Sequence, residues 1–398
     1  MYLSKEEEKI LSGESGVTLQ KAMQLLVTLG DVFKADRLLD IKSAQISGVS
    51  YKNIGDAGAE FIRDMARLKN VIKITATLNP AGMDFKDWVK MKIPTSFAEK
   101  QLEIIRCFAR MGAIPSCTCT PYLIGNLPVR GQHIAWAESS AVSYANSIIG
   151  AKTNREGGPI SLAASIIGKT PNYGLHIDEN RIPNVLVKVK ADLKSTLDYS
   201  LLGYYMGSIL VKGIPVIEGV KSFSLEDAKS LCAAAASSGS IALYYISGIT
   251  PLPAGWRESE KEDKIEITEQ ELKNTLEKFN PSVDVDIVTL GCPHATINEI
   301  RQVADLIKNK RIKSGKTLWI CTSSVNKEIS RRLGYSKIIE KAGGVIAADT
   351  CMVVAPLEQM GYTALATNSA KAAHYVPSSC NIPSKLCSLE ECIKMIAE

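Results

Sequence analysis

Three short polar turns carry cysteines whose thiols could bind a metal. The sequence SCTCTPY contains Cys117 and Cys119, LGCPHATINE contains Cys292, and DTCMVVAP contains Cys351. The last two turns follow the apolar runs VDIVTL and GVIAA, and parallel strands would bring both thiols to one edge of a sheet. A third thiol from CTCTPY would complete three ligands, the number that leaves one iron of a cubane cluster open to substrate. The turns therefore predict a metallocluster with a Lewis-acidic iron.

Residue spacing does not by itself choose every ligand. Cys117 and Cys119 are separated by one residue, so in an extended segment their side chains point to opposite sides and only one can face the cluster. Cys321 ends the strand KTLWI near the same sheet edge, and spacing alone does not exclude it. The remaining cysteines are interpreted as small buried hydrophobic residues: Cys107, Cys232, Cys380, Cys387 and Cys392.

A second polar constellation, Glu138-Ser139-Ser140 with the segment TNREGG at 153–158, has the composition of an anion site. Arg155 offers a planar fork for carboxylate or phosphate, and the paired glycines let the backbone approach closely. A helix cap with a structural arginine is the alternative interpretation. Lys371, in the late segment NSAK, could neutralise a phosphate as a point charge.

Composition excludes several classes of function. The net charge is only +5 and the basic residues are interspersed with acidic ones, so no basic stripe is available for nucleic acid. No apolar run reaches about 18 residues, and the charged N-terminus lacks the apolar core of a signal peptide. We therefore expect a cytoplasmic protein with reduced thiols and no membrane segment.

The order of elements predicts an α/β protein. Apolar β-type runs alternate with helical patterns, including a helix over Gly58 to Leu68, and a βαβαβ unit is expected from Val283. The charged run ESEKEDKIEITEQELKNTLEKF is interpreted as a solvated helix, and the stretch from 245 to 280 as the best candidate boundary. The expected regions are 1–110, 111–250 and 251–398, within the two or three cores that 398 residues can bury.

Six blocks of sequence together resemble the aconitase X family: ISGVSYKNIGDAG, CTPYL, AWAESSAVSYANSIIGAKTNREGGP, GCPHATINEI, DTCMVVAP and TNSAKAAHY. The resemblance runs from the N-terminus nearly to the end of the chain. It implies an aconitase-like multi-domain architecture with Rossmann-like parallel-sheet units around a central cluster site. It also implies an iron–sulfur cluster held by Cys119, Cys292 and Cys351, in a 4Fe-4S form with one open iron. Three thiolates also suit a three-iron form that has lost its labile iron, or a smaller centre. The resemblance favours contact with substrate by Ser139, Ser140, Thr153, Asn154 and Arg155. Similar clusters of hydrogen-bond donors make Gly48, Val49, Ser50, Asn79 and Lys371 further candidate substrate contacts.

The resemblance further implies a dehydration. The substrate hydroxyl and a neighbouring carboxylate would bind the open iron, and a base would remove a proton from the adjacent carbon. In the aconitase relatives this base is a serine on a swivelling domain, which the chain is expected to lack, so a separate small subunit is expected to supply it. His294, two residues after Cys292, is expected to orient its surroundings rather than to abstract a proton.

The implied substrate is a phosphorylated hydroxy acid, (R)-5-phosphomevalonate, converted to trans-anhydromevalonate 5-phosphate in an archaeal mevalonate pathway. A cis-3-hydroxyproline dehydratase of the same family is the alternative enzyme. A non-catalytic iron–sulfur protein or a structural zinc protein is the alternative from a different class.

Overall fold

The computed structural model describes residues 1–210, 212–254, 256 and 263–398. The α-helices of the described residues are α1 (Lys5–Ser12), α2 (Val17–Val32), α3 (Tyr51–Met65), α4 (Thr95–Met111), α5 (Ser139–Tyr144), α6 (Gly158–Ile167), α7 (Thr196–Ile209), α8 (Leu225–Gly239), α9 (Glu269–Glu277), α10 (Ile297–Ile307), α11 (Ser324–Arg332), α12 (Tyr335–Lys341), α13 (Ala370–Cys380) and α14 (Leu389–Ile396). The strands are β1 (Leu38–Asp40), β2 (Ser43–Ile46), β3 (Thr75–Leu78), β4 (Ala135–Trp136), β5 (Lys169–Pro171), β6 (Val185–Val189), β7 (Pro215–Glu218), β8 (Tyr245–Ile246), β9 (Asp263–Ile267), β10 (Ile287–Leu290), β11 (Thr317–Thr322), β12 (Val345–Ala348), β13 (Leu365–Thr367) and β14 (Ser384–Leu386). No helix of these residues is long and apolar enough to cross a membrane.

The first sheet is parallel, in the order β3-β2-β4. Its core joins Ile46 and Leu78 of the strands to apolar residues of α2, α3, α4 and α6. The segment that follows α4 runs beside β3, where Thr77 bridges Ile114 and the Thr118 N–H donates to the Leu78 carbonyl (3.0 Å). This pairing carries the CTCTPY segment along the edge of the sheet.

The second sheet is also parallel, in the order β8-β7-β6-β9. Helices α7 and α8 pack closely beside it because glycines lie at their contact. A Cβ on Gly203 would come within 2.6 Å of the Leu231 carbonyl, and one on Gly207 within 2.8 Å of the Ala235 carbonyl. The close packing fixes the position of α8, whose first turns reach toward the C-terminal sheet.

The third sheet is parallel and doubly wound, in the order β12-β11-β10-β13-β14. Successive strand residues alternate between two cores: Ile287 and Trp319 face the side covered by α13, while Val288 and Leu318 face the side of α10, α12 and α14. The strand order reverses between β10 and β13, and the crevice at such a switch point is where ligands bind in open α/β sheets. Cys292 follows β10 at this point, and Lys371 follows β13.

Several expectations are confirmed and two are wrong. The α/β fold and the βαβαβ order from Val283 are confirmed by β10, β11 and β12. The helix expected to begin at Gly58 begins at Tyr51, because Gly55 adopts φ 58 and ψ −164 and lets the helix kink rather than start later. Residues 263–267 of the charged run form β9, which pairs with β6, and a helix follows only from Glu269.

Part of that charged run, residues 258–262, lies outside the described residues. The three parallel sheets span residues 43–136, 185–267 and 287–386, and β1 pairs with β5 in a separate two-stranded antiparallel sheet. The regional boundaries near 110 and 250 stay predictions.

The turn after β10 requires glycine at position 291. Gly291 has φ +87, and a Cβ there would stand 2.1 Å from the Cys321 carbonyl oxygen. We expect Gly291→Ala to lower the free energy of unfolding by about 3 kcal/mol or more, since it combines left-handed strain with a backbone clash. Gly315→Ala is the control, because Gly315 has φ +76 but open space around it, and about 1 kcal/mol is expected there. If Gly291→Ala and Gly315→Ala lost the same free energy of unfolding in a denaturant titration, the backbone clash at Gly291 would be contradicted.

Glu156 is a buried carboxyl group that belongs to none of the ion pairs between described residues. Thr170 donates its hydroxyl to Glu156 Oε1 at 3.4 Å, and burial raises the pKa of Glu156 to about 7 despite the hydroxyls of Thr170 and Tyr173. The folded state therefore prefers the neutral acid. The stability that protonated Glu156 contributes is complete below pH 4.5, the ordinary pKa of a glutamate, and is lost as the pH rises through about 7.

We expect Glu156→Gln to become more stable relative to the parent protein between pH 5 and pH 8, by up to about 3 kcal/mol, because the amide stays neutral. Denaturant titrations at the two pH values measure this difference. Glu179→Gln is the control at an exposed position. A pH-independent difference for Glu156→Gln would show that the carboxyl is ionised in the folded protein.

Candidate active site

The imidazole of His294 bridges the three cysteine-bearing turns. Its Nε2 stands 2.9 Å from the Thr350 carbonyl oxygen, its Nδ1 stands 2.9 Å from Thr118 Oγ1, and its backbone N–H donates to Cys119 Sγ at 3.2 Å. Because a carbonyl only accepts, Nε2 carries the proton and Nδ1 accepts from the threonine hydroxyl. Burial lowers the pKa of His294 to about 4, which keeps the ring neutral.

The thiols of Cys119, Cys292 and Cys351 lie near one another, since Cys292 and Cys351 both act on the ionisation of Cys119, whose sulfur accepts from the His294 N–H. All three are unpaired, and their residues are 6%, 9% and 8% exposed. Burial raises the pKa of each thiol above its ordinary value, and the Cys292 thiol adds to the rise at both Cys119 and Cys351. The Cys321 thiol takes part in the same mutual effects, so four thiols that hinder each other's ionisation lie near one another, as ligands of a cationic group would.

The other two candidate thiols differ in burial. Cys117 is fully buried, has φ 41 and packs in the core of the first sheet. Cys321 is also fully buried in β11, and its thiol accepts a hydrogen bond from the backbone of Met352. Both sulfurs are therefore enclosed by their own surroundings, whereas Cys119, Cys292 and Cys351 retain some exposure.

A buried ion pair lies beside the thiols. The Lys371 ammonium donates to Glu138 Oε1, Asn79 Nδ2 donates to Glu138 Oε2 at 2.8 Å, and Ser140 Oγ donates to Oε1 at 3.1 Å. Burial alone would raise the pKa of Glu138, but Lys371 and these donors hold it at about 2. Burial acts to lower the pKa of Lys371, and Glu138 outweighs it, so the lysine stays charged.

The charge of Lys371 reaches the cysteines and Ser139. Lys371 counteracts the rise in the pKa values of Cys119 and Cys292, which burial causes. Its ammonium also stands 3.5 Å from Ser139 Oγ. The side-chain oxygen of Asn79, Oδ1, is buried and has no hydrogen-bond partner among the described residues. The site thus combines the Lys371 ammonium, serine hydroxyl groups and one hydrogen-bond acceptor, Asn79 Oδ1, that has no partner among the described residues.

The loop of Gly48, Val49 and Ser50 contacts the segment that follows Cys351. Ser50 Oγ donates to the Val354 carbonyl at 2.9 Å, which ties the loop to the segment after Cys351. Gly48 supplies the positive φ of 73 that the turn into α3 uses. The structure therefore brings this loop to the cysteine turns.

The TNREGG residues are placed differently. Thr153 Oγ1 donates to the Asn154 carbonyl, while Asn154 donates to the Tyr173 carbonyl and accepts from the Leu175 N–H. Arg155 is exposed and donates to Ser240 Oγ at 3.1 Å, at the C-terminal end of α8. The structure does not bring these three polar side chains to the Glu138–Lys371 pair, and their contact with substrate stays a prediction.

Two buried polar residues that position the site were missed in the sequence. Gln101 donates to the Val49 carbonyl at 2.9 Å and accepts from the Gly82 N–H at 2.9 Å. Asp84 accepts from the Ala348 N–H at 2.8 Å, just before the Cys351 turn, and from Lys327. A polar residue on the apolar face of α4 was the one available signal for Gln101, and no local pattern marks Asp84.

Comparisons with known proteins agree over the whole chain. Models of the aconitase X family match as first domain over residues 1–179, second domain over 183–277 and third domain over 285–398. The phosphomevalonate dehydratase large subunit of Methanocaldococcus jannaschii is 50% identical and aligns over 99% of this chain and 100% of its own length. The cis-3-hydroxy-L-proline dehydratase of Hypocrea jecorina is 32% identical over 94% of this chain and 65% of its own length.

The fold has a solved counterpart. The crystal structure of Thermococcus kodakaraensis aconitase X in its holo form superimposes with a TM-score of 0.91, at 47% identity over 99% of both chains. Both curated relatives are named dehydratases, and dehydratases are lyases, so the expected reaction class is confirmed. The expected family is confirmed as well: this chain belongs to the aconitase X family.

Proposed function

We propose that this chain is the large subunit of an iron–sulfur hydro-lyase that converts (R)-5-phosphomevalonate to trans-anhydromevalonate 5-phosphate. The observation that carries the proposal is the convergence of three free thiols beside the Glu138–Lys371 pair, at the switch point of a doubly wound sheet. A cytoplasmic location and a role in an archaeal mevalonate pathway are part of the same proposal.

The donor set fits an iron–sulfur cluster better than a single ion. Within the described part of the chain, no three His, Cys, Asp or Glu side chains are grouped closely enough to hold one metal ion. In a cluster each thiolate binds a different iron, so its ligands stand further apart than those of a lone ion. Cys119, Cys292 and Cys351 would hold the cluster, and we propose a 4Fe-4S form. When bound, it supplies a Lewis acid at the iron without a cysteine ligand.

The residues beside the thiols can bind an anionic hydroxy acid. A substrate carboxylate or phosphate would compete with Glu138 for the Lys371 ammonium, in surroundings where charge-assisted hydrogen bonds are strong. The open oxygen of Asn79 can accept from a substrate hydroxyl, and Ser139 adds a hydroxyl within reach of the same lysine. These contacts would orient the carbon–oxygen bond that breaks.

His294, Lys371 and Glu138 are poor bases, which supports a partner that removes the proton. Both ring nitrogens of His294 are engaged in hydrogen bonds. Lys371 is held in its charged form, and Glu138, with a pKa of about 2, has little affinity for a proton. The Methanocaldococcus jannaschii relative is named a large subunit, so a small swivelling-domain subunit carrying a serine base is the partner we propose.

Two alternatives can be separated by experiment. The relative that acts on cis-3-hydroxy-L-proline is 32% identical, against 50% for the phosphomevalonate dehydratase large subunit, and this difference favours the phosphorylated substrate. A colourless protein that holds one zinc would instead indicate a structural metal protein.

The chain should be purified without oxygen and assayed with and without the small subunit of the same organism. We expect dehydration of phosphomevalonate by the pair at least about a hundredfold faster than by the large subunit alone, since general acid–base catalysis contributes that much. Product formation is followed by mass spectrometry, with cis-3-hydroxy-L-proline as the comparison substrate. Full activity of the large subunit alone would contradict the partner base, and a preference for hydroxyproline would contradict the substrate.

The ligand set has its own test. We expect Cys292→Ser and Cys351→Ser to reduce iron and sulfide per chain to near background, because a cluster with fewer thiolates is readily lost. Cys387→Ala is the matched control, since Cys387 is buried in the core of α14 away from the site and should retain the full iron content. Full iron content in Cys292→Ser would remove that residue from the proposed ligands.

A further inference from the structure

Lys229 is a fully buried lysine whose ammonium holds the turn that carries Cys292. The residue is 2% exposed and lies in the second turn of α8. Its Nζ donates to the Pro293 carbonyl at 3.0 Å, to the His294 carbonyl at 2.8 Å and to Glu299 Oε2 at 2.6 Å. These bonds use the three N–H groups of the ammonium.

The contact joins two parts of the fold. Helix α8 packs with the second sheet, whereas Pro293 and His294 belong to the turn after β10 in the third sheet. Lys229, Cys292 and Ser369 also line one small cavity of about 20 Å³. The position of the turn therefore depends on α8 as well as on its own sheet.

One peptide group connects Lys229 to Cys119. The Pro293 carbonyl accepts from Lys229, and the N–H of the same peptide, which belongs to His294, donates to Cys119 Sγ at 3.2 Å. A cation on the carbonyl polarises the peptide and strengthens its N–H as a donor, because hydrogen bonds in a chain reinforce each other. The donor is aimed at a sulfur that must carry negative charge in order to bind iron.

An ordinary ion pair with Glu299 does not account for these contacts. Glu299 also accepts from the Thr296 N–H at 2.8 Å and its side chain is 22% exposed, so water and the helix cap can satisfy it without the lysine. The Pro293 and His294 carbonyls face a buried ammonium, and their loss of it would leave two acceptors without a partner.

We infer that Lys229 is a positioning residue: through the Pro293–His294 peptide group it orients Cys292 and strengthens the hydrogen bond to Cys119. The part of the inference that concerns cluster retention rests on the proposed function. The part that concerns the turn applies to the protein without any cluster.

The test compares Lys229→Met with Glu299→Gln, which keeps both carbonyl contacts. Hydrogen exchange over residues 291–296 is measured first on cluster-free protein. We expect exchange of the His294 amide in Lys229→Met to be about tenfold faster or more, as loss of a charge-assisted bond implies, and within about threefold of the parent in Glu299→Gln. Lys221→Met, at an exposed lysine, controls for loss of charge.

The cluster-loaded protein then provides a second readout. The rate of iron loss to a chelator should rise about tenfold in Lys229→Met and stay near the parent value in Glu299→Gln. Equal effects of the two substitutions on both readouts, or unchanged exchange in Lys229→Met, would overturn the inference. If Lys229→Met does not fold, Lys229→Leu with Glu299→Gln, which leaves no unpaired carboxylate, takes its place, and parent-like exchange of the His294 amide in that double variant would also overturn the inference.

The two proposals fail in different ways. A parent protein that binds no iron would contradict the proposed function and leave the exchange measurement decisive for Lys229. If the parent protein binds iron normally and the His294 amide exchanges at the same rate in Lys229→Met, only the inference is contradicted.

Discussion

A neutral imidazole shared by three turns is the constraint on which the site depends. The ring of His294 contacts Thr118 and Thr350, and its backbone contacts Cys119, so residues that are 176 and 56 positions away in the chain are fixed relative to one another. A charged ring could not accept from Thr118 while donating to Thr350. Burial of the ring, which keeps it neutral, therefore preserves the geometry of the thiols around it.

Three lysines near the thiols are each paired with a carboxylate. Lys371 is paired with Glu138, Lys229 with Glu299 and Lys327 with Asp84. Such pairs are expensive to desolvate, and their retention beside three thiols is consistent with a role in holding particular atoms in place rather than in stability alone. Lys229 donates to the Pro293 carbonyl in the turn that carries Cys292. Asp84 accepts from the Ala348 N–H just before the turn that carries Cys351, and Glu138 accepts from the Asn79 side chain.

Much of this arrangement was accessible from the sequence. Cys292 and Cys351 were predicted to share a sheet edge because each follows a short apolar β-type run, and β10 and β12 bear out that order of elements. The kink at Gly55 and the strand β9 were not predicted. A glycine inside a helical pattern does not reveal its own φ. The KIEI run alternates between a charged, exposed face and an apolar face, because only Ile265 and Ile267 face the core.

The long-range hydrogen bonds could not be predicted at all. Gln101 and Asp84 serve backbone groups far away in the chain, and their partners are defined only once the sheets have assembled. The guanidinium of Arg155 is chemically suited to an anion and donates to Ser240 in this structure, so its contact with substrate stays a prediction. Residue type indicates what a side chain can bind, whereas the fold decides what it meets.

The bond between Ser50 and the Val354 carbonyl has a thermodynamic consequence. It joins the loop proposed to contact substrate to the segment that follows Cys351. Two ligands that each order the same connected segment must favour each other's binding by equal factors, because the coupling free energy is reciprocal. For the cluster and substrate proposed above, this coupling would slow the loss of iron while substrate is bound, and metabolite supply would then influence the lifetime of the metal centre.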